Sequence, residues 1–496
     1  MTGARSRRGH PGVTLAGVLL GFLVLPMLMS GTTVALPRIG ADLDASGAAL
    51  QWVVVGYFLA AASVMLVAGS LGDLFGRRRV FALGAVAYSA GALTSAVATD
   101  ILLLDVARTM SGLGAAGVMA GGGAILGATF TGRARTRAFG AMGSTAGVGM
   151  AVGPTLSGWL VGAFGWRATF AAFAAAGLLI WACSAFMAGS RAVARPRVDV
   201  AGSAALVGGL VLVMFGANQA AEAGWASAAV LGPLAGGLLL LVMFALVERR
   251  SRNPVLDLGL LRERRFMAWC LACVFVAAGP AGVTTFLPTY LQGVNGVSAE
   301  SAGLTMLMLT APVLLMPQVG AHLVNRGLRP RVLITLSLLL IAVGNAWLTV
   351  LHPGIGLLGL LGPLATIGVG MGLVIGTVDA QAMNEVAQER IGMATGLLNT
   401  LRAGGATLVT TLFGTALTTL LLARTGDAAA ARRIAAGELA GPERLRHALQ
   451  FTEAWHVTSW CVALGCAAAA AIVWAMLAPS RNRAVMPAHA SRARAR

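Results

Sequence analysis

The residues able to do chemistry in this chain are few and fall in four places. Residues 69–79 read Gly-Ser-Leu-Gly-Asp-Leu-Phe-Gly-Arg-Arg-Arg. Gly69 and Gly76 permit a tight turn and a close helix approach, and Asp73 can pair with a neighbouring Arg such as Arg77 or Arg78, or face a helix N-terminus. Asp105 and Arg108 share one helical face with Gly112 and Ala115 by i, i+3 and i+4 spacing. Charges inside an apolar segment are expensive and face a partner or a cavity; the plain reading of this pair is a stabilising contact near the outer surface. Gly149, Gly153 and Ser157 form a small-residue stripe suited to close helix contact. Pro154, one turn before Gly158, removes a backbone donor and can kink its helix. Asn399 and Arg402 share a face at i+3. Arg402 can line a cavity or pair with Asp105 or Asp379 across a bundle, and Asp379 stands at a segment end, where an interfacial role is the alternative.

Other chemistries find no support. None of the six His clusters with Cys or carboxylates, so no metal site is expected. Cys270 and Cys273 form a C-x-x-C inside an apolar run and read as small buried residues. The absence of a P-loop disfavours ATP-driven work by this chain alone.

The elements that must position these residues are apolar helices. Of 496 residues, 57 % are hydrophobic and 11 % charged, and the mean hydropathy is +0.81. Soluble domains average about 25 % charged, so the chain falls in the membrane class. The apolar content excludes disorder, and five Cys exclude a secreted disulfide scaffold. Fourteen apolar runs are read as spans: 13–36, 50–71, 80–98, 102–128, 138–161, 167–188, 200–217, 227–247, 266–291, 301–324, 332–351, 355–379, 393–422 and 455–478. Most reach the roughly 20 residues that cross hydrocarbon; 200–217 is the shortest. The first run exceeds a signal-peptide core and is expected to be retained. The stretch 428–449, within the long connection 423–454, is a candidate surface helix.

Net charge is +18. With the N-terminus inside, 27 Arg fall on cytoplasmic segments and 7 on outer ones. That bias sets topology, because Arg near a span end resists translocation. The basic excess is therefore an orientation signal and not a nucleic-acid patch, and both termini are placed in the cytoplasm of a cell-membrane protein.

An internal repeat supports the count. Gly69, Gly76 and Arg78 recur as Gly320, Gly327 and Arg329 at an offset of 251, and Gly140 and Gly153 as Gly392 and Gly405 at 252. Runs 1–6 then match runs 9–14, with runs 7–8 inserted, and duplicated bundles around a central site are a transporter architecture.

On the strings 69–79, 104–116 and 147–158, and on Val34–Leu43 with Gln51, Trp52 and Tyr57, the chain resembles the major facilitator superfamily, and within it the fourteen-helix drug:proton antiporters. The resemblance covers nearly the whole chain and is strongest over runs 1–6. It implies an all-α membrane fold of two six-helix bundles and a central pair: 1–190, 191–262 (insertion and linkers), 263–480, and a basic tail at 481–496. It assigns Gly69, Asp73, Gly76, Arg77 and Arg78 to a cytoplasmic gate and Arg108 to proton relay; Asp105, which is not part of the family pattern, is read as Arg108's partner in that relay from its own place on the same face. Gly149, Gly153, Pro154 and Gly158 match the antiporter helix motif, and Asp379, Asn399 and Arg402 are candidate cavity residues. Trp52, Tyr57, Trp181, Phe286 and Tyr290 are aromatic side chains placed to touch an apolar substrate, unless they form interface belts. The departures are Leu74 for a basic residue, Ser111 for Gln, Ser157 for Gly, and Leu28 where an Asp is usual. The implied function is export of amphiphilic small molecules by alternating access, driven by the proton gradient with no cofactor and no enzymatic step. The departure at Leu28 keeps open an exporter without proton coupling; a non-transporting sensor is the remote alternative.

Overall fold

The computed structural model describes residues 11–45, 47–187, 200–224, 227–250, 259–297, 299–387, 390–435, 437, 439 and 442–478. The described residues form sixteen α-helices and short 3-10 turns, without strands. The first half holds α1 (Pro11–Asp42), α2 (Gly47–Phe75), α3 (Arg77–Ala96), α4 (Ile101–Thr129) and α5 (Gly132–Ser184). A central pair follows, α6 (Val200–Ala223) and α7 (Ala228–Arg250). The second half holds α8 (Arg264–Ala278), α9 (Ala281–Gly293), α10 (Ala299–Asn325), α11 (Pro330–Trp347), α12 (Leu361–Val374), α13 (Thr377–Asn384), α14 (Ile391–Thr425), α15 (Ala428–Ala435) and α16 (Arg444–Met476). The expected boundaries at 190 and 480 lie outside the described residues.

Eleven segments among the described residues are long and apolar enough to cross a membrane. Three of the fourteen expected runs, 80–98, 138–161 and 200–217, are helical yet fall short of that standard. Run 200–217 is apolar but short, at Ala201–Ala217; for the other two the reason is composition. The α3 helix and the front of α5 trade large apolar side chains for Gly, Ala, Ser and Thr, which lower hydropathy while letting backbones touch. Thus Gly84 on α3 faces the Gly114 carbonyl and the Val118 amide of α4, with no room for a Cβ. The runs 138–161 and 167–188 are two helices within α5, joined across a kink at Gly165, whose φ of +84° no other residue adopts cheaply. The run 266–291 is interrupted at Gly279-Pro280. The stretch 428–449 is not one surface helix: α15 ends at Ala435, and α16 starts at Arg444.

The repeat is visible in the turns. Gly76 and Gly327, related by the 251-residue offset, both close a helix with left-handed φ, +108° and +106°. The halves meet along two seams, α2 with α14 and α5 with α10. Gly69 lies against Gly392 in the first; in the second, Gly140 lies against Pro317 and Ala321, which flank Gly320. The central pair lies on the first seam: α6 packs on both α2 and α14, stacking Phe215 on Trp52 at 5.8 Å and setting Met214 beside Gly404.

Candidate functional site

A buried polar contact between the halves is built on Asp73, in the last turn of α2. Its buried carboxylate accepts from Arg77 Nε at 3.0 Å and Nη2 at 2.8 Å. It also accepts from the backbone N–H of Gly392 at 3.2 Å and of Met393 at 3.0 Å, at the start of α14. The first turn of any helix carries unpaired N–H groups and the positive end of the helix dipole, and the side chain of Arg390 at the N-cap of α14 does not cap it. Asp73 therefore caps a helix of the other half. Small residues allow the approach: a Cβ on Gly392 would meet the Gly69 carbonyl at 2.5 Å and Asp73 Oδ1 at 2.6 Å, and one on Gly396 would meet the Met65 carbonyl at 2.6 Å. Gly76 makes the turn into α3, and Arg78 leans away, donating to the Met187 carbonyl at 3.5 Å.

A second clamp, read in the sequence only as topological charge, sits beside it. Arg135, at the start of α5, donates to the carbonyls of Phe130 (2.9 Å) and Gly127 (2.7 Å) in its own half. Across the seam it donates to Asn384 Oδ1 at 2.8 Å and the Met383 carbonyl at 3.4 Å, at the end of α13. The two clamps are complementary, with an anion at the N-terminus of α14 and a cation at the C-terminus of α13.

Asp105 and Arg108 share a face but do not pair. Arg108 is buried, donates to the Val53 carbonyl at 3.1 Å, and lies over the Tyr57 and Phe170 rings at 4.6 and 5.4 Å. Its Nη1, Asp105 Oδ1 and the Tyr88 hydroxyl have no hydrogen-bond partner among the described residues. The aromatic ring faces pull the guanidinium inward and away from Asp105. The expected stabilising contact is thus absent.

The stripe on α5 packs on α1. A Cβ on Gly31 would fall on Ser157 and the Gly153 carbonyl, and Gly149 lies against the Leu23 carbonyl. Gly158 is looser, with Val34 at 3.5 Å. The side chain of Pro154 lies outside the described residues. The α1 segment is apolar here, and Leu28 is a core residue 1 % exposed.

In the second half, Asp379 on α13 accepts from Arg402 Nη2 through both oxygens, at 2.7 and 2.8 Å. Arg402 Nη1 donates to Asn399 Oδ1 at 2.8 Å, and the Cys273 thiol of α8 lies against the same guanidinium. The pair forms within one half, not across the bundle, and Asp379 is buried in the protein. Of the expected substrate aromatics, Tyr57 and Tyr290 are packed away, Tyr290 sharing a hydrogen bond with Thr452 at 2.6 Å. Trp181 is half exposed, Phe286 stacks on Phe413, and Trp52 stacks on Phe215 of the central pair.

At the opposite end from Asp73, Asp42 pairs with Arg167 and accepts from Trp166 Nε1 at 3.1 Å. These hydrogen bonds, Arg167's first, hold its carboxyl below the usual value.

Residues 18–410 match the family model of the Major Facilitator Superfamily. The chain is 32 % identical over 418 residues to a probable actinorhodin transporter of Streptomyces coelicolor, covering 80 % of this chain and 71 % of that one. It is 34 % identical over 402 residues to the puromycin resistance protein pur8 of Streptomyces alboniger, covering 79 % of each. In fold it is similar to the human organic anion transporter MFSD10 (TETRAN), with a TM-score of 0.59 at 15 % identity, over 93 % of this chain and all of that one.

Proposed function

The chain belongs to the Major Facilitator Superfamily, and on that premise we propose that it exports antibiotics and related amphiphilic molecules from the cell by proton antiport. The observation that carries the mechanism is the cap that Asp73 places on α14. A contact made from one half to a helix terminus of the other exists only while that end is shut, which is what alternating access requires of a gate. In this reading the Asp73 end faces the cytoplasm, with both termini, and the chain crosses the cell membrane fourteen times. Gly69, Asp73 and Arg77, joined by Arg135, form the cytoplasmic gate. Gly149 and Gly153 fix α5 on α1, so that the helix moves with its half. Protons enter on a carboxylate in the bundle, with Asp105 and Asp379 as the two available, and Arg108 keeps the first half's interior cationic.

The test is flux in proteoliposomes loaded with puromycin, the drug in the name of one relative, with and without an imposed pH gradient. Uphill movement that collapses with the gradient is expected. Downhill flux indifferent to the gradient would favour the second reading, an uncoupled exchanger, which the apolar α1 around Leu28 supports. An absence of flux for puromycin, ethidium and an anthracycline alike would overturn export.

A further inference from the structure

The buried ion pair of the second half stands between the two clamps. The α13 helix ends in the groups that Arg135 holds, and α14 begins with the groups that Asp73 holds. Asp379 is one turn inside the first grip and Arg402 is three turns inside the second. The bidentate bond between them ties the two gripped helices to each other, helped by the Thr395 hydroxyl on the Met383 sulfur at 3.4 Å. While the pair holds, both clamps act on one body.

We propose that Asp379 is the coupling carboxylate of the exporter and that its protonation unlatches the cytoplasmic gate. The proposal rests on the antiport reading above. A proton on Asp379 removes the bidentate acceptor of Arg402, which keeps Asn399 and, with its side chain 34 % exposed against 8 % for Asp379, has open space to turn into. The α13 and α14 helices then part, and each clamp holds a single short helix end. The direction suits antiport: the pair is made while the gate is shut, so a proton taken up in that state opens the cytoplasmic side, and deprotonation resets it. Asp105 shows no such linkage: its Oδ1 has no hydrogen-bond partner among the described residues.

Few charged or titratable groups face Asp379 among the described residues. Arg402 and Cys273 face it from α14 and α8. Towards the cytoplasm stand Arg135 of α5 and the Arg265–Glu385 pair at 3.2 Å. No side chain of α10, α11 or α12 bonds to it among the described residues, and His322 of α10 lies in the cleft by Arg137.

The test needs no substrate. Hydrogen exchange of the full-length protein in nanodiscs is followed over residues 380–396 as a function of pH, corrected for intrinsic exchange. In the wild type, protection is expected to fall at least tenfold on acidification. In Asp379→Asn it is expected to be low at every pH, and in Asp105→Asn to follow the wild type. Asp379→Glu, which keeps the charge, should restore protection at neutral pH with a shifted midpoint; it also decides the matter if the Asn variant fails to fold. Protection in Asp379→Asn that matches the wild type, or a midpoint unmoved in Asp379→Glu, would overturn the proposal. A latch that responds as stated in a protein whose puromycin flux ignores the pH gradient would instead refute the antiport reading.

Discussion

Replacing Asp73 by Asn separates what the gate owes to the cap from what folding owes to the ion pair. Asp73 accepts four hydrogen bonds. Two come from Arg77 in the same half and persist however the halves rock. The other two, from Gly392 and Met393, vanish when the gate opens. The effect on the open–closed balance is therefore set by the second pair. Asn keeps one acceptor and turns an N–H toward groups that are themselves donors, so one cap is lost, at about 1 kcal/mol. Loss of the anion at a buried helix N-terminus adds about 1–2 kcal/mol. The sum, about 2–3 kcal/mol, moves the closed-to-open ratio by about 30- to 150-fold at 1.4 kcal/mol per decade. Hydrogen exchange of residues 390–396 in nanodiscs should accelerate by that factor where closing outruns exchange. A change under threefold in a variant that melts like the wild type would refute the assignment of Asp73 to the gate.

Arg135→Ala removes two bonds across the seam, partly exposed, and should speed exchange over 380–396 by about 5- to 30-fold, at about 1–2 kcal/mol; unchanged exchange would leave Arg135 a topology signal. Gly69→Val puts a side chain onto the Gly392 carbonyl, so the variant should insert and fold yet never shut; export at the wild-type rate would contradict the backbone contact. Asp42, held below its usual value by Arg167 and Trp166, stabilises the end opposite Asp73 above that value and loses its effect as pH falls through the lowered one. The melting difference between wild type and Asp42→Asn should therefore be present at pH 7 and close well below about pH 4; a difference that widens on acidification would exclude the pairing.

Much of this was legible in advance, for reasons that can be named. The Gly69–Arg79 string marks its own turn, and the break between 161 and 167 is carried by a glycine and a lapse in hydropathy. The partners of Asp73 are not legible, because they lie more than three hundred positions away and are main-chain N–H groups that any sequence possesses; the repeat marks Gly392 only as the mate of Gly140. Arg135 is one of three Arg within five positions, and nothing in its neighbours says that it alone turns inward. Asp105 and Arg108 share a face by spacing, yet spacing is blind to the rings of Tyr57 and Phe170 that draw the guanidinium away. The span count falls short where small residues replace large ones, since hydropathy reads such helices as weak although they pack the closest.

The placement of α6 gives the molecule a front and a back. One of the two clefts where the halves meet is roofed by a third helix that holds both sides, through Phe215 on Trp52 and Met214 beside Gly404; among the described residues no helix from outside the two halves packs across the other in this way. When the halves rock, α6 must stay with one and slide along the other, so the roofed flank moves as a hinge and the bare flank as a door. In the export reading, an amphiphile approaching from the lipid would pass two of the described helices at the α5/α10 flank and three at its counterpart.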